Sequence, residues 1–207
     1  MIKKKGLLLV ISGPSGAGKG TVCKELLKRN PDFKLSVSAT TRAPREGEVD
    51  GESYYFLTKE KFNEMIGKGG FLEYAQIYSN FYGTPKGPVM KYLEEGKDVI
   101  LEIEMQGARQ VKEMYPEAVL IFVLPPSLEE LRNRLTTRGT ETQEQVDERL
   151  STSFEEIKQV KDYNYFIFNE NNKTTESAMI IENLIVAEKN KASRYEKAII
   201  KKFEEEL

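Results

Sequence analysis

The feature that most restricts this chain is a short apolar run, Leu7 to Ile11, leading directly into Gly13-Pro-Ser-Gly-Ala-Gly18-Lys19-Gly20-Thr21 and then a helical pattern, Thr21 to Arg29. The segment fits G-x-x-x-x-G-K at a strand-to-helix junction, the context that gives the pattern its meaning. Its glycines let the backbone wrap so that successive N–H groups point inward, and the helix start adds partial positive charge. Gly13, Pro14, Ser15, Gly16, Ala17, Gly18, Lys19, Gly20 and Thr21 therefore form a cradle for phosphate groups, with Lys19 reaching over it. A glycine-rich turn with a solvated lysine is the alternative, and the strand and helix on either side argue against it.

Three further apolar runs, Val99 to Ile103, Ala118 to Leu124 and Tyr165 to Phe168, lack clean alternation. Both faces of these strands are expected to be covered, as in a parallel sheet flanked by helices. Helical patterns occupy Val89 to Gly96, Ala108 to Met114, Leu128 to Leu135 and Glu144 to Val160, and a long one runs from about Thr175 into the charged tail Lys201 to Leu207. Ser127-Leu-Glu-Glu130 is a capping-box signature for the third of these. Strand and helix in alternation predict an α/β domain with crossover connections. The stretch from Ser36 to Thr84 breaks the rhythm: it is rich in Gly, Tyr, Phe and Thr and reads as a mostly β insertion with one helix near Lys59 to Ile66. Thr136 to Thr142, with Arg138-Gly139 between two helices, suits a mobile lid. The expected organisation is a core of residues 1–36 and 89–207, an insertion over 37–88 and a lid over about 136–146.

Composition narrows the chemistry. The 207 residues include no His, which removes Ser-His-Asp and Cys-His catalysis and His-ligated zinc. The single Cys, Cys23, forbids an intrachain disulfide, fits a reducing cytoplasm and reads as a small packing residue. Near the start, Leu7 to Ile11 is too short for a signal-peptide core or a membrane span, so a cytoplasmic protein without a membrane partner is expected. A net charge of −2 argues against a nucleic-acid partner. Arginines nevertheless cluster, Arg42 with Arg45, and Arg132, Arg134, Arg138 and Arg149 together, which suits a small anionic ligand. Arg132 reads as facing solvent. Oligomeric state is left open, a homo-oligomer included.

The insertion carries the most specific segments: Ser36-Val-Ser-Ala-Thr-Thr-Arg42-Ala-Pro-Arg45-Glu-Gly-Glu-Val-Asp-Gly51, Tyr54-Tyr-Phe, Phe71-Leu-Glu73-Tyr and Tyr82-Gly-Thr84. With the phosphate loop, Glu104-Met-Gln-Gly107, Pro125-Pro-Ser127 and Arg138-Gly-Thr-Glu-Thr142, they make the chain resemble guanylate kinase over nearly its whole length. That resemblance implies transfer of the γ-phosphate of ATP to GMP, and to dGMP, with Mg²⁺, giving ADP and GDP and supplying GTP and dGTP in purine metabolism. It implies that Arg42, Arg45, Tyr54 and Tyr82 hold the GMP phosphate. It also implies that Glu73, Ser38, Thr84 and Glu104 read guanine, and that Lys19, Arg134, Arg138 and Arg149 stabilise the transferring group. These roles suit the residue types, because arginine forks match a compact dianion and a carboxylate satisfies the N1–H and N2–H₂ donors of guanine.

Two departures accompany the resemblance. Glu104 stands where the family more often has Asp, so its guanine contact is direct or passes through a different water. Gly20 follows the loop lysine in place of the hydroxyl that usually binds Mg²⁺, leaving Thr21 as the nearest hydroxyl and water with phosphate oxygens as the main ligands. Glu102, two residues before Glu104 and expected on the same strand face, is the candidate carboxylate near the metal. A different nucleoside monophosphate kinase would lack the Glu73 and T-T-R-x-P-R context. A catalytically inactive guanylate-kinase-like binding module is disfavoured by the intact loop and full arginine set, and a GTPase-like switch by the lack of N-K-x-D.

Overall fold

In a computed structural model, residues 4–136 and 142–207 are described. The chain runs through β1 (Leu8–Ser12), α1 (Lys19–Arg29), β2 (Lys34–Leu35), β3 (Ala39–Thr40), β4 (Tyr55–Phe56), α2 (Lys59–Gly67), β5 (Phe71–Ile77), β6 (Asn80–Pro85) and α3 (Lys86–Glu94). It continues through β7 (Val99–Glu102), α4 (Met105–Met114), β8 (Val119–Leu124), α5 (Leu128–Thr136), α6 (Gln143–Ile157), β9 (Tyr165–Phe168), α7 (Thr174–Glu188) and α8 (Glu196–Glu204).

The central sheet has the order β2-β7-β1-β8-β9, and every pairing in it is parallel. Successive side chains of a strand point to opposite faces, and β1 shows why its sequence does not alternate. Leu9 and Ile11 pack with Val22 and Leu26 of α1 and Ile181 and Ile185 of α7. Leu8 and Val10 pack with Val89 and Leu93 of α3 and Ala108 and Val111 of α4. Both faces are apolar because both are covered, and the α/β architecture read from the sequence holds.

The second sheet, β4-β3-β6-β5, is mixed: β3 pairs with β4 in parallel and with β6 antiparallel, while β6 pairs antiparallel with β5. It has a small core of its own, in which Phe62 of α2 stacks on Phe71 and Phe81.

Two local expectations need correction. The long C-terminal helix is two helices separated by a 3₁₀ turn, Ala192–Arg194. Side chains break it: Asn190 donates to the Val186 carbonyl, Lys189 pairs with buried Asp98 at 2.6 Å, and Arg194 folds back onto Glu188. The Asn190 amide thus satisfies a carbonyl of the last turn of α7, and the two ion pairs fix the chain as it leaves the helix. The other correction is at β7, which stops at Glu102, so Glu104 is the extended residue before α4 and not a strand residue; the two side chains still line one cavity, as expected. The turn is pinned by the Ser12 hydroxyl, which donates to the Ile103 carbonyl at 2.7 Å.

Candidate functional site

The glycine-rich loop leaves the C-terminal end of β1, where parallel strands and their following helices open a crevice. Gly18, the residue before α1, has φ +88°, and a Cβ there would stand 2.3 Å from Asn169 Nδ2. Only glycine lets the loop turn that tightly against its neighbour. Asn169 in turn donates to the Ala17 carbonyl at 2.9 Å, bracing the loop from β9. Lys19 Nζ lies over the loop, donating to the Gly13 carbonyl at 2.6 Å and standing 3.8 Å from Glu104 Oε1.

Beside the loop is a cleft of about 390 Å³ whose walls come from both sheets. Ser38, Tyr54, Glu73 and Tyr82 contribute from the second sheet and its loops, Glu102 and Glu104 from the central sheet's edge. Glu73 is 8% exposed and sits in β5 opposite Thr84 of β6. The Thr84 hydroxyl donates to Glu73 Oε1 at 2.6 Å. A hydroxyl has one proton, so that of Thr84 is committed to the carboxylate, and Thr84 holds Glu73 from behind. Burial pushes the Glu73 carboxyl above its ordinary pKa, and hydrogen bonds from Thr84 offset part of that rise.

The other carboxylate oxygen lies against the first turn of α4. A Cβ on Gly107 would stand 2.8 Å from Glu73 Oε2, so a glycine is required for this approach. Replacing it, Gly107→Ala, is expected to displace the carboxylate and weaken binding of the cleft's ligand about tenfold or more. Titrating that ligand against both forms checks this, and an unchanged dissociation constant would remove Gly107 from the site.

Of the cleft-lining rings, Tyr54 meets Tyr82 edge-on at 6.2 Å, and Arg42, outside the lining, lies 5.5 Å over the Tyr54 ring. Arg42 makes a bidentate pair with Glu48, at 3.0 and 2.8 Å, and the same carboxylate accepts from the Arg45 amide at 2.8 Å. The hydrogen bond from Arg42, followed by that from the Arg45 amide, holds Glu48 below the ordinary carboxylate range. Arg45 itself is exposed on the same loop.

The remaining candidates divide between two places. Arg149 of α6 donates to the Ser15 hydroxyl at 2.7 Å. Arg134 of α5 is clamped to the far side of the loop, donating to Glu130 Oε1 at 2.9 Å, the Ala17 carbonyl at 3.3 Å and the Asn169 carbonyl at 2.8 Å. It lines a separate pocket of about 290 Å³ with Gly16, Gly18, Thr21 and Asn169. Thr21 and Glu102, read together as metal candidates, thus face different cavities. Arg138 and residues 137–141 of the expected lid lie outside the described residues. Arg132 is solvent-facing and pairs with Asp147, while Cys23 is buried with its thiol pKa pushed up, chiefly by burial.

Sequence reasoning passed over Glu48 and Asn169, and gave Gly107 no role of its own. Glu48 and Gly107 lie inside segments that had been singled out; nothing local marks Asn169.

Comparison with known proteins gives a consistent picture. The family model described as guanylate kinase matches residues 5–188. A guanylate kinase of Clostridioides difficile (strain 630) is 68% identical over 207 residues, covering 100% of both chains. One from Caldanaerobacter subterraneus subsp. tengcongensis is 52% identical over 206 residues, covering 100% of this chain and 99% of the other. Among solved structures, guanylate kinase from Anaplasma phagocytophilum superposes with a TM-score of 0.70 at 36% identity, covering 92% of this chain and 90% of that one.

Proposed function

The chain belongs to the guanylate kinase family, and from that membership we propose how the loop and cleft divide the work of phosphorylating GMP with ATP. The observation that carries the reading is Glu73: a buried carboxylate, held by Thr84, in a cleft lined by Tyr54 and Tyr82, with Arg42 over the Tyr54 ring. Ionised, Glu73 accepts from the N1–H and N2–H₂ of guanine, a donor pair that adenine does not present. Ser38 donates to O6, and Glu104 serves the N2 side. Arg42 and Arg45 take the phosphate dianion, with phenolic hydrogen bonds from Tyr54 and Tyr82.

The GMP phosphate is already ionised at neutral pH, so its attacking oxygen needs no base, consistent with a chain that has no His. The task is to bring two anions into line and neutralise charge on the transferring group. Backbone amides of Gly13 to Thr21 hold the polyphosphate of ATP. Lys19 faces the reaction from the loop, and Arg134 and Arg149, fixed on either side of it, supply further positive charge, joined by Arg138.

Mg²⁺ fits this arrangement as an ion held mostly through water and phosphate oxygens. Among the described residues no group of three or more His, Cys, Asp or Glu could hold it alone. The Glu102 carboxylate, however, approaches the loop so closely that a Cβ on Gly20 would stand 3.2 Å from Oε1. Glu102 would hold the ion's water shell from this side, whereas the Thr21 hydroxyl lines the separate pocket behind the loop. When bound, the ion neutralises charge on the β- and γ-phosphates.

The proposal extends to a core of residues 1–36 and 89–207 over which the 37–88 insertion closes, excluding water that would otherwise hydrolyse ATP. The radius of gyration from solution scattering is expected to fall when both nucleotides are added; an unchanged value would count against closure. It also extends to action in the cytoplasm on ATP with GMP or dGMP, in the supply of GTP and dGTP. No described helix is long and apolar enough to cross a membrane.

The deciding assay is ADP formation dependent on GMP. GMP is expected to support it far better than AMP, dTMP or UMP. ADP formation independent of the acceptor, or none at all, would overturn the assignment.

A further inference from the structure

At the opposite ends of the central strands from the glycine-rich loop lies a polar cavity of about 190 Å³. It is placed by Ala118 and Val119, where β8 begins, and by Asn164, just before β9, whereas the loop follows the last residue of β1. Its outer wall is the 3₁₀ turn with Lys191, Ser193 and Arg194. These three residues lie beyond residue 188, where the match to the guanylate kinase family ends, so the cavity is no part of the nucleotide machinery described above.

Three cations, Lys112, Lys191 and Arg194, line it against two carboxylates, Glu117 and Glu188, an excess of one positive charge in a chain whose net charge is −2. The Glu188 carboxylate is already engaged: Oε1 accepts from the Tyr165 hydroxyl at 2.7 Å and Oε2 from Arg194 Nη2 at 2.7 Å. Lys112 is committed to the Pro116 and Ala118 carbonyls at 2.8 and 2.7 Å. What faces the cavity with donor capacity to spare is the Lys191 ammonium, only 3.4 Å from Glu188 Oε1 and with a side chain 55% exposed, the Ser193 hydroxyl and the Asn164 amide, whose oxygen is taken by the Leu120 N–H. Arg194 uses Nε and Nη2 and has Nη1 left. Spare donors on Lys191, Ser193, Arg194 and Asn164, with the Glu117 carboxylate the one acidic group left in the lining, surround a space of several water volumes and suit an anion.

We propose that this cavity binds a compact tetrahedral oxyanion, the phosphate group of inorganic phosphate or of a phosphate ester, on Lys191, Ser193, Arg194 and Asn164. The electrostatics agree in direction: Lys112 is held below its ordinary pKa by burial first and then by the Arg194 charge, with Glu188 opposing and Lys191 adding to the fall. Bound oxyanion would tie the C-terminal turn to β8 and β9, at a distance from the reacting phosphates.

The test uses the full chain with both nucleotide sites saturated by a linked adenosine–guanosine pentaphosphate, so that added phosphate cannot report on the loop. Inorganic phosphate is titrated while the Asn164 side-chain amide and the Ser193 backbone amide are followed by NMR, with sodium chloride of equal ionic strength as control. Saturable shifts at these two positions, absent with chloride, are expected. The double variant Lys191→Gln/Ser193→Ala should weaken binding about tenfold or more while leaving GMP phosphorylation and the melting temperature unchanged. A parallel titration with ribose 5-phosphate separates the sources: equal binding assigns the site to phosphate esters, weaker binding to the free ion. Shifts no larger than those in chloride, or equal affinity in the double variant, would overturn the proposal.

Discussion

Lys19→Ala is expected to lower kcat for GMP phosphorylation by about 10³-fold or more, roughly 4 kcal/mol of transition-state stabilisation, while the protein stays folded. The lysine bonds to the Gly13 carbonyl and lies near Glu104, with no part in either apolar layer of the sheet. Its removal leaves one loop carbonyl without a donor, a cost of about 1 kcal/mol and a melting shift of roughly 2 to 4 °C for a chain of this size. The disparity between the two readouts is the content of the prediction. A fall in turnover matched by an equally large loss of stability would make Lys19 a structural residue, and near-normal turnover would remove it from the chemistry.

Glu73→Gln should separate binding from folding in the opposite sense. The amide keeps an acceptor for the Thr84 hydroxyl, but it turns an NH₂ toward Gly107 and the cleft, where guanine also presents donors. Losing two charge-assisted hydrogen bonds and opposing donor to donor should cut kcat/KM for GMP by roughly 10²- to 10⁴-fold, about 3 to 5.5 kcal/mol. Folding stability at neutral pH is expected to stay level or rise, because a buried charge is gone. Its pH dependence has a definite sign. Burial raises the Glu73 pKa in the folded state, so over the window from the ordinary glutamate range up to that raised value the folded protein holds a proton that the unfolded chain has released. Wild-type stability therefore falls as pH rises through this window, and the contribution is absent in Glu73→Gln. GMP binding runs the other way: KM should rise as pH falls into the window and the carboxylate is protonated, and the variant should lose that dependence. Retained GMP selectivity in Glu73→Gln would sink the guanine assignment.

The parts of the site legible in the sequence are those whose chemistry depends on near neighbours along the chain. Gly13 to Lys19 is one continuous loop, and Arg42, Arg45 and Glu48 are one turn whose spacing alone allows a carboxylate to hold an arginine fork. Glu48 went unread there because a surface acid near two arginines is ordinarily solvated. The buried strands were equally plain, since a strand covered on both faces must be apolar along its length. Glu104 lies outside β7, yet its extended backbone, with φ −73° and ψ 162°, continues the strand's alternation closely enough that its side chain lines the same cleft as Glu102. No Gly or Pro separates Glu188 from Glu196, so the sequence reads as one helix; the interactions at the break include the Lys189 pair with Asp98, a residue far away in the chain.

By itself the sequence determined the glycine-rich loop between strand and helix, the family resemblance and the two-sided sheet, because each rests on short-range spacing and backbone periodicity. Only the tertiary structure decided that Glu73 is buried, that Thr84 spends its proton on it, that Gly107 makes room for it, and that Thr21 and Glu102 face different cavities. The physical reason is that burial and hydrogen-bond partnership depend on which strands and helices become neighbours. The antiparallel β5–β6 pair sets Thr84 beside Glu73, and α4 brings Gly107 against the same carboxylate. Tertiary packing also places Lys191 to Arg194 beside the start of β8, where a cluster of charges scattered along the chain becomes a single cavity.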